Sequence, residues 1–141
     1  MGQADSADRV IVVDAANVVG SVPDGWWHDR AGAAARLRDL LVPLAAGGLS
    51  ADGAPDWARD RPVEMVLVVE GAARRVPGVE GVRVVSAPRS GDDTIVEFVT
   101  ERLAVPGPTP YCLVVTADNE LRERVQRLGA EVAGPRTVYH A

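Results

Sequence analysis

Several short apolar runs in this chain deliver an acid at or soon after their carboxyl ends. Asp14 directly follows the run 10–13, Glu70 directly follows 63–69, and Asp118 comes three residues after Val115 in Val-Val-Thr-Ala-Asp-Asn-Glu. Asp92 and Asp93 follow the run 82–85 through Ser86-Ala87-Pro88-Arg89-Ser90-Gly91. If these runs are strands of one open parallel sheet, all the acids fall beyond its carboxyl edge, where such sheets bind ligands. Carboxylates crowded there at low dielectric repel unless a cation neutralises them. The expected cation is Mg²⁺ or Mn²⁺, hard ions that take oxygen ligands. Zn²⁺ fits poorly, because His28 and His140 stand apart and Cys112 is the sole cysteine. Each acid also has a purely structural reading. Asp14 can cap the turn after its strand, and Glu70 can be a solvated turn residue. Asp92 or Ser90 can cap the following helix, with Thr94 and Glu97 spelling a capping box, and Asp118 can cap the helix after it.

Such acids need elements to hold them. Most of the apolar runs are Val-rich and lack polar alternation, the pattern of strands buried on both faces. Strands are expected over 10–13, 63–69, 82–85, 112–115 and 131–133. A first helix is expected over about 29–41, with Ala33, Leu37, Leu40 and Leu44 inward, ended or kinked by Pro43. A second is expected over 93–103, with Ile95, Val96, Val99 and Leu103 inward, and a third over 119–128, with Leu121, Val125 and Leu128 inward. Strands alternating with helices make an α/β fold around a parallel sheet. Residues 1–8 are polar and acidic and read as a disordered tail, and 9–141 as a single domain. The segment 45–62, rich in Gly, Ala, Asp and Pro, is expected to be mobile.

Composition removes alternatives. With 141 residues and a net charge of −5, the chain suits one real core and does not suit wholesale electrostatic coating of DNA or anionic lipid. No apolar run approaches the roughly 20 residues of a membrane span. All 15 basic residues are Arg, beside 21 Ala and 24 Val, which reads as the codon bias of a GC-rich bacterial genome. Without Lys there is no P-loop and no Schiff-base chemistry, and receiver or haloacid-dehalogenase sites become poor readings. No Ser-His-Asp or Cys-His constellation is apparent. The lone Cys112, set in an apolar run, indicates a buried thiol and a reducing compartment, hence a cytoplasmic protein.

The segments Val-Val-Asp-Ala-Ala-Asn-Val-Val, Gly-Asp-Asp-Thr-Ile-Val-Glu and Val-Val-Thr-Ala-Asp-Asn-Glu-Leu-Arg, in that order, resemble the motifs of the NYN domain of the PIN-like nuclease superfamily, over residues 9–135. The resemblance implies a three-layer α/β/α fold with a sheet ordered 3-2-1-4-5, and metal-dependent phosphodiester cleavage, generally of RNA. It implies that Asp14 is the acid after the first strand and Asn17 the polar residue three positions on. It implies that Asp93 is the acid opening the central helix, and that Asp118 is the late acid with Thr116 beside it. Glu70 stands where many relatives carry Asp, and the doublet leaves open whether Asp92 or Asp93 points at the metal. A metal held by Asp14, Asp93 and Asp118, with Glu70 or Asp92 sharing a second ion, would lower the pKa of a bound water for attack on the phosphodiester. Arg30, Arg74, Arg75 and Arg89 fall in or near loops on that edge and suit flanking phosphates. Trp26 and Trp27 offer either a stacking platform for an unpaired base or hydrophobic cover, one beneath the first helix and the other over the sheet edge. The rival readings are a non-catalytic RNA-binding module on the same fold and a small nucleotide phosphohydrolase.

Overall fold

A computed structural model describes residues 8–22, 25–104 and 110–139. The expected tail 1–8 lies outside the described residues except for Asp8, as do His140 and the Pro23-Asp24 step before the tryptophans. Five parallel strands form one sheet: β1 (Arg9–Asp14), β2 (Glu64–Val69), β3 (Val82–Ser86), β4 (Tyr111–Val115) and β5 (Glu131–Ala133). Their order is β3-β2-β1-β4-β5, as the resemblance implies. Four α-helices accompany them among the described residues: α1 (Ala15–Gly20), α2 (Arg30–Gly47), α3 (Gly91–Leu103) and α4 (Asn119–Arg127).

Strand alternation sorts the core into two layers. Ile11, Val13, Met65, Leu67, Leu113 and Val115 pack with α1 and α2 through Val18, Leu37 and Leu41. Val10, Val12, Val66, Val68, Cys112 and Val114 pack on the other face with Ile95 and Val99 of α3 and Leu121 and Val125 of α4. The result is three layers with the sheet in the middle. The chain builds outward from β1 to β3 on one side, then crosses to β4, so the order reverses between β1 and β4. The crevice beyond the carboxyl ends of those two strands is the place where doubly wound sheets bind ligands.

Several local expectations need correction. Pro43 does not end α2, which runs through it to Gly47 because Leu37, Leu41 and Ala45 keep one buried stripe. Of the residues expected inward, Ala33 and Leu37 are buried and Leu44 packs against the core, but Leu40 is exposed, since steps of four from Leu37 carry the buried stripe past it. Helix α2 stops at Gly48, whose φ is +85° and whose Cβ would meet three backbone atoms at 2.8 Å. Leu128 is the C-cap of α4 rather than an inward residue, and it is exposed. The segment expected to be mobile is a packed loop. Leu49, Ala54 and Ala58 are buried in it, and the Arg59 guanidinium donates to the carbonyls of Ser50, Ala51 and Ala54. One long cation thus satisfies three backbone acceptors that composition alone left to solvent.

Candidate functional site

Asp14 is the last residue of β1 and the N-cap of α1, a short helix the sequence pattern did not reveal. It is only 4% exposed. One carboxylate oxygen, Oδ2, accepts a hydrogen bond from the Thr116 hydroxyl at 3.0 Å, and Oδ1 accepts from the Asn17 N–H at 3.4 Å. Burial is the main influence on its pKa, raising it from 3.8 to about 6. The two hydrogen bonds work against that rise, and the charges of Asp92 and Glu70 add to it. No Arg lies within ion-pair distance of Asp14 among the described residues.

Thr116 and Asn17 tie the two strand ends together. The Thr116 hydroxyl, fully buried, donates to Asp14 and accepts from the Asp118 N–H at 3.2 Å, so it stands between the two acids. Asn17 Oδ1 accepts from the Ala117 N–H at 2.8 Å, joining α1 to the turn after β4. Arg122, which donates to the Thr116 carbonyl at 2.8 Å, braces the same turn from α4. Asp118 is the N-cap of α4, as its structural reading expected. Both bonds, from the N–H groups of Glu120 at 3.0 Å and Leu121 at 3.2 Å, fall on Oδ1. Capping therefore commits one oxygen and does not by itself preclude a ligand on the other.

The Asp92-Asp93 doublet divides. Ser90 caps α3, its Oγ accepting from the Asp93 N–H at 3.3 Å, so the expected box between Thr94 and Glu97 does not start the helix, which begins at Gly91. From that start, successive side chains turn about 100° apart. Asp93 is turned to α4, where its Oδ1 accepts from both terminal nitrogens of Arg124 at 3.3 Å, and its side chain is 65% exposed. Asp92 is half-buried, with its pKa raised chiefly by that burial and then by the charges of Asp118 and Glu70. Arg124 lowers it and Glu120 raises it further. Of the two acids that the sequence left open, Asp92 is the one whose charge couples to Asp14, Glu70 and Asp118, while Asp93 pairs with Arg124.

Glu70 follows β2 directly and reaches toward the same space. A Cβ on Gly91 would lie 2.8 Å from Glu70 Oε1 and 4.0 Å from Asp14 Oδ1, so a side chain at position 91 would fill the gap between these carboxylates. Glycine keeps it open. Among the described residues no three His, Cys or acidic side chains are already drawn into a metal cage. The donors are nonetheless all oxygen and carry several negative charges, and Gly91 leaves the space between Glu70 and Asp14 clear, a chemistry that fits a hard divalent cation.

The remaining predicted residues lie around this edge. Arg74 and Arg75 are exposed, and Arg74 Nε donates to the Gly71 carbonyl at 3.2 Å. Arg89 is exposed in the loop before α3. Arg30 opens α2, with its guanidinium 5.3 Å from the centre of the Trp26 ring. Trp26 is half-buried against the α1–α2 layer, whereas Trp27 is 54% exposed. Glu120 and Arg124 were missed by sequence reasoning. Their signal was the spacing along α4 after Asp118, which sets both on the side facing α3.

No protein-family model and no curated protein sequence matches the chain. Among solved structures, Rae1 (YacP) from Bacillus subtilis, crystallised as a tryptophan-to-leucine mutant, superposes with a TM-score of 0.63 at 16% identity, covering 91% of this chain and 70% of that one. The likeness is one of fold. No helix among the described residues is long and apolar enough to cross a membrane.

Proposed function

We propose that this protein is a divalent-metal-dependent ribonuclease whose centre is formed by Asp14, Asp92, Asp118 and Glu70. The observation that carries the reading is Asp14: a buried carboxylate at the reversal point of the sheet, with further acids from three other connections near it and, among the described residues, no Arg paired with it. Repulsion of that kind is costly unless an external cation relieves it. The sequence resemblance to NYN domains and the fold shared with Rae1 support the same reading.

Asp14, Asp92 and Asp118 would hold the cation, with Glu70 completing the donor set from the β2 side. Mg²⁺ or Mn²⁺ bound there would act as a Lewis acid on the phosphodiester and lower the pKa of a bound water. Asp14, with a pKa of about 6, is ionised at neutral pH and so is ready as a donor. Thr116 and Asn17 fix the orientation of its two oxygens, which makes them positioning residues. Asp93 is assigned to the α3–α4 ion pair with Arg124. The chain supplies no thiol nucleophile at this edge, because Cys112 is buried in the α3–α4 layer with its pKa pushed up to about 12. Arg74, Arg75 and Arg89 are placed to meet flanking phosphates.

The test is incubation of the protein with mixed single-stranded and structured RNAs, in Mn²⁺ and in chelator. Cleavage is expected in Mn²⁺ alone and should vanish in Asp14→Asn. Cleavage that persists in chelator, or that survives in Asp14→Asn, overturns the proposal. Hydrolysis of mononucleotides with RNA left intact would reassign the site to a nucleotide phosphohydrolase.

A further inference from the structure

We propose that a small cleft beside the acids, between α1, the first turns of α2 and the turn after β2, seats one unpaired nucleobase of the strand whose phosphate meets Asp14. This rests on the nuclease reading above and names how that site would hold its substrate. The cleft has a volume of about 190 Å³ and is lined by Ala16, Trp26, Arg30, Ala34, Glu70 and Ala73, among others. An apolar cavity of about 150 Å³ accepts benzene, and drug-sized sites begin at about 300 Å³. The size therefore suits one planar ring system and not a whole nucleotide.

The chemistry of the walls points the same way. Small alanines leave flat apolar sides, and the indole of Trp26 supplies the large face on which a base stacks regardless of its sequence. That indole is held before any ligand arrives. Its ring lies against Gly20, where a Cβ would be 3.6 Å from Trp26 Cζ2, and Trp27 meets it edge-on at 88° with ring centres 6.2 Å apart. The Arg30 guanidinium, which also lines the cleft, lies over the ring 5.3 Å from its centre and supplies positive charge for an anionic backbone. Glu70 belongs both to the cleft and to the acid group, so a base seated here is next to a phosphate at the acids. A peptide side chain would find the same apolar walls but gives no reason for the adjoining acids.

The experiment measures binding of a labelled single-stranded hexaribonucleotide by fluorescence anisotropy, in Ca²⁺, a hard cation that neutralises the acids, with the oligonucleotide checked to be intact after each titration. The same oligonucleotide carrying one abasic residue, moved through each position in turn, is the comparison. The wild type should lose about tenfold or more in affinity at one position only, the size of a single base stack. Ala16→Leu fills the cleft from an exposed position on α1 and should erase that difference while leaving the melting temperature unchanged. Trp26→Ala should also erase the difference, with a lower melting temperature because the indole packs on the α1–α2 layer, and is the second variant. No binding of the intact oligonucleotide, equal binding of every abasic form, or wild-type affinity in Ala16→Leu overturns the proposal. Cleavage in Mn²⁺ is scored separately. Base-sensitive binding without cleavage keeps the seat and rejects the nuclease, and cleavage without base sensitivity does the reverse.

Discussion

Two acids on neighbouring strands, at opposite ends of the sheet, are treated in opposite ways. Glu64 opens β2 beside Val10, and both of its oxygens accept from Arg102, at 2.7 and 3.0 Å. The Arg102 guanidinium also lies 5.0 Å from the centre of the Phe98 ring, so that charge is matched and covered from within the chain. Asp14 closes β1 beside Val68, is more deeply buried, and among the described residues receives hydrogen bonds from the neutral Thr116 and Asn17 alone. The chain can supply an internal cation at a strand end, and does so where the acid is structural. At the carboxyl edge it gathers further acids instead, which is the arrangement expected where the balancing charge arrives with a ligand.

The largest effect that would break this contrast is catalytic. Asp14→Asn and Asp92→Asn are each expected to cost several orders of magnitude in RNA cleavage, as members of one unit do, while Asp93→Asn stays within a few-fold of wild type. Initial rates on labelled RNA check it, and the two adjacent aspartates make the comparison internal. Next is pH. In the metal-free protein the raised pKa of Asp14 means that the folded state holds a proton the unfolded state has already lost. Stability from this group is full below about pH 4 and is lost as pH rises through about 6, by at most about 3 kcal/mol. Thermal melts in chelator at pH 4.5 and 7.5 should therefore show Asp14→Asn gaining on the wild type at the higher pH. Equal gains at both would remove the strain assigned to that carboxylate.

Smaller effects sharpen the structural side. Glu64→Gln removes the negative charge that faces Arg102 and is expected to cost about 1–2 kcal/mol of stability, discounted for partial exposure, without altering RNA cleavage or any response to Mn²⁺. Denaturant titration with and without the ion separates the two. Smallest is the outer ring: Arg74→Ala with Arg75→Ala should weaken RNA binding modestly and reduce the slope of log affinity against log salt by about one for each phosphate that is no longer neutralised. An unchanged slope removes them from the interface.

Much of this site was legible because strand ends are legible. Val-Val-Asp and Val-Val-Glu mark where a buried run stops and an acid begins, and the parallel sheet brings such points to one edge. The division of Asp92 from Asp93 was not legible, since it depends on which residue caps α3. Capping by Ser90 starts the helix at Gly91, and one residue of shift turns a side chain by about 100°. Pro43 misled for a related reason: its local cost was outweighed by the buried stripe through Leu41 and Ala45, which only tertiary packing reveals. The pairing of Arg124 with Asp93 joins two helices distant in the chain, and Arg59 orders its loop by side-chain bonds to nearby carbonyls; apolar periodicity reports neither.

The central claim is that the open acids, and Asp92 among them, hold a divalent cation. Calorimetric titration of Mn²⁺ into the wild type, Asp92→Asn and Asp93→Asn tests it most directly. The predicted result is one saturable site in the wild type, retained in Asp93→Asn and weakened at least about tenfold in Asp92→Asn, with affinity falling as pH drops below about 6 because Asp14 takes up a proton. No saturable binding to the wild type, or loss of binding in Asp93→Asn with Asp92→Asn unaffected, would contradict it.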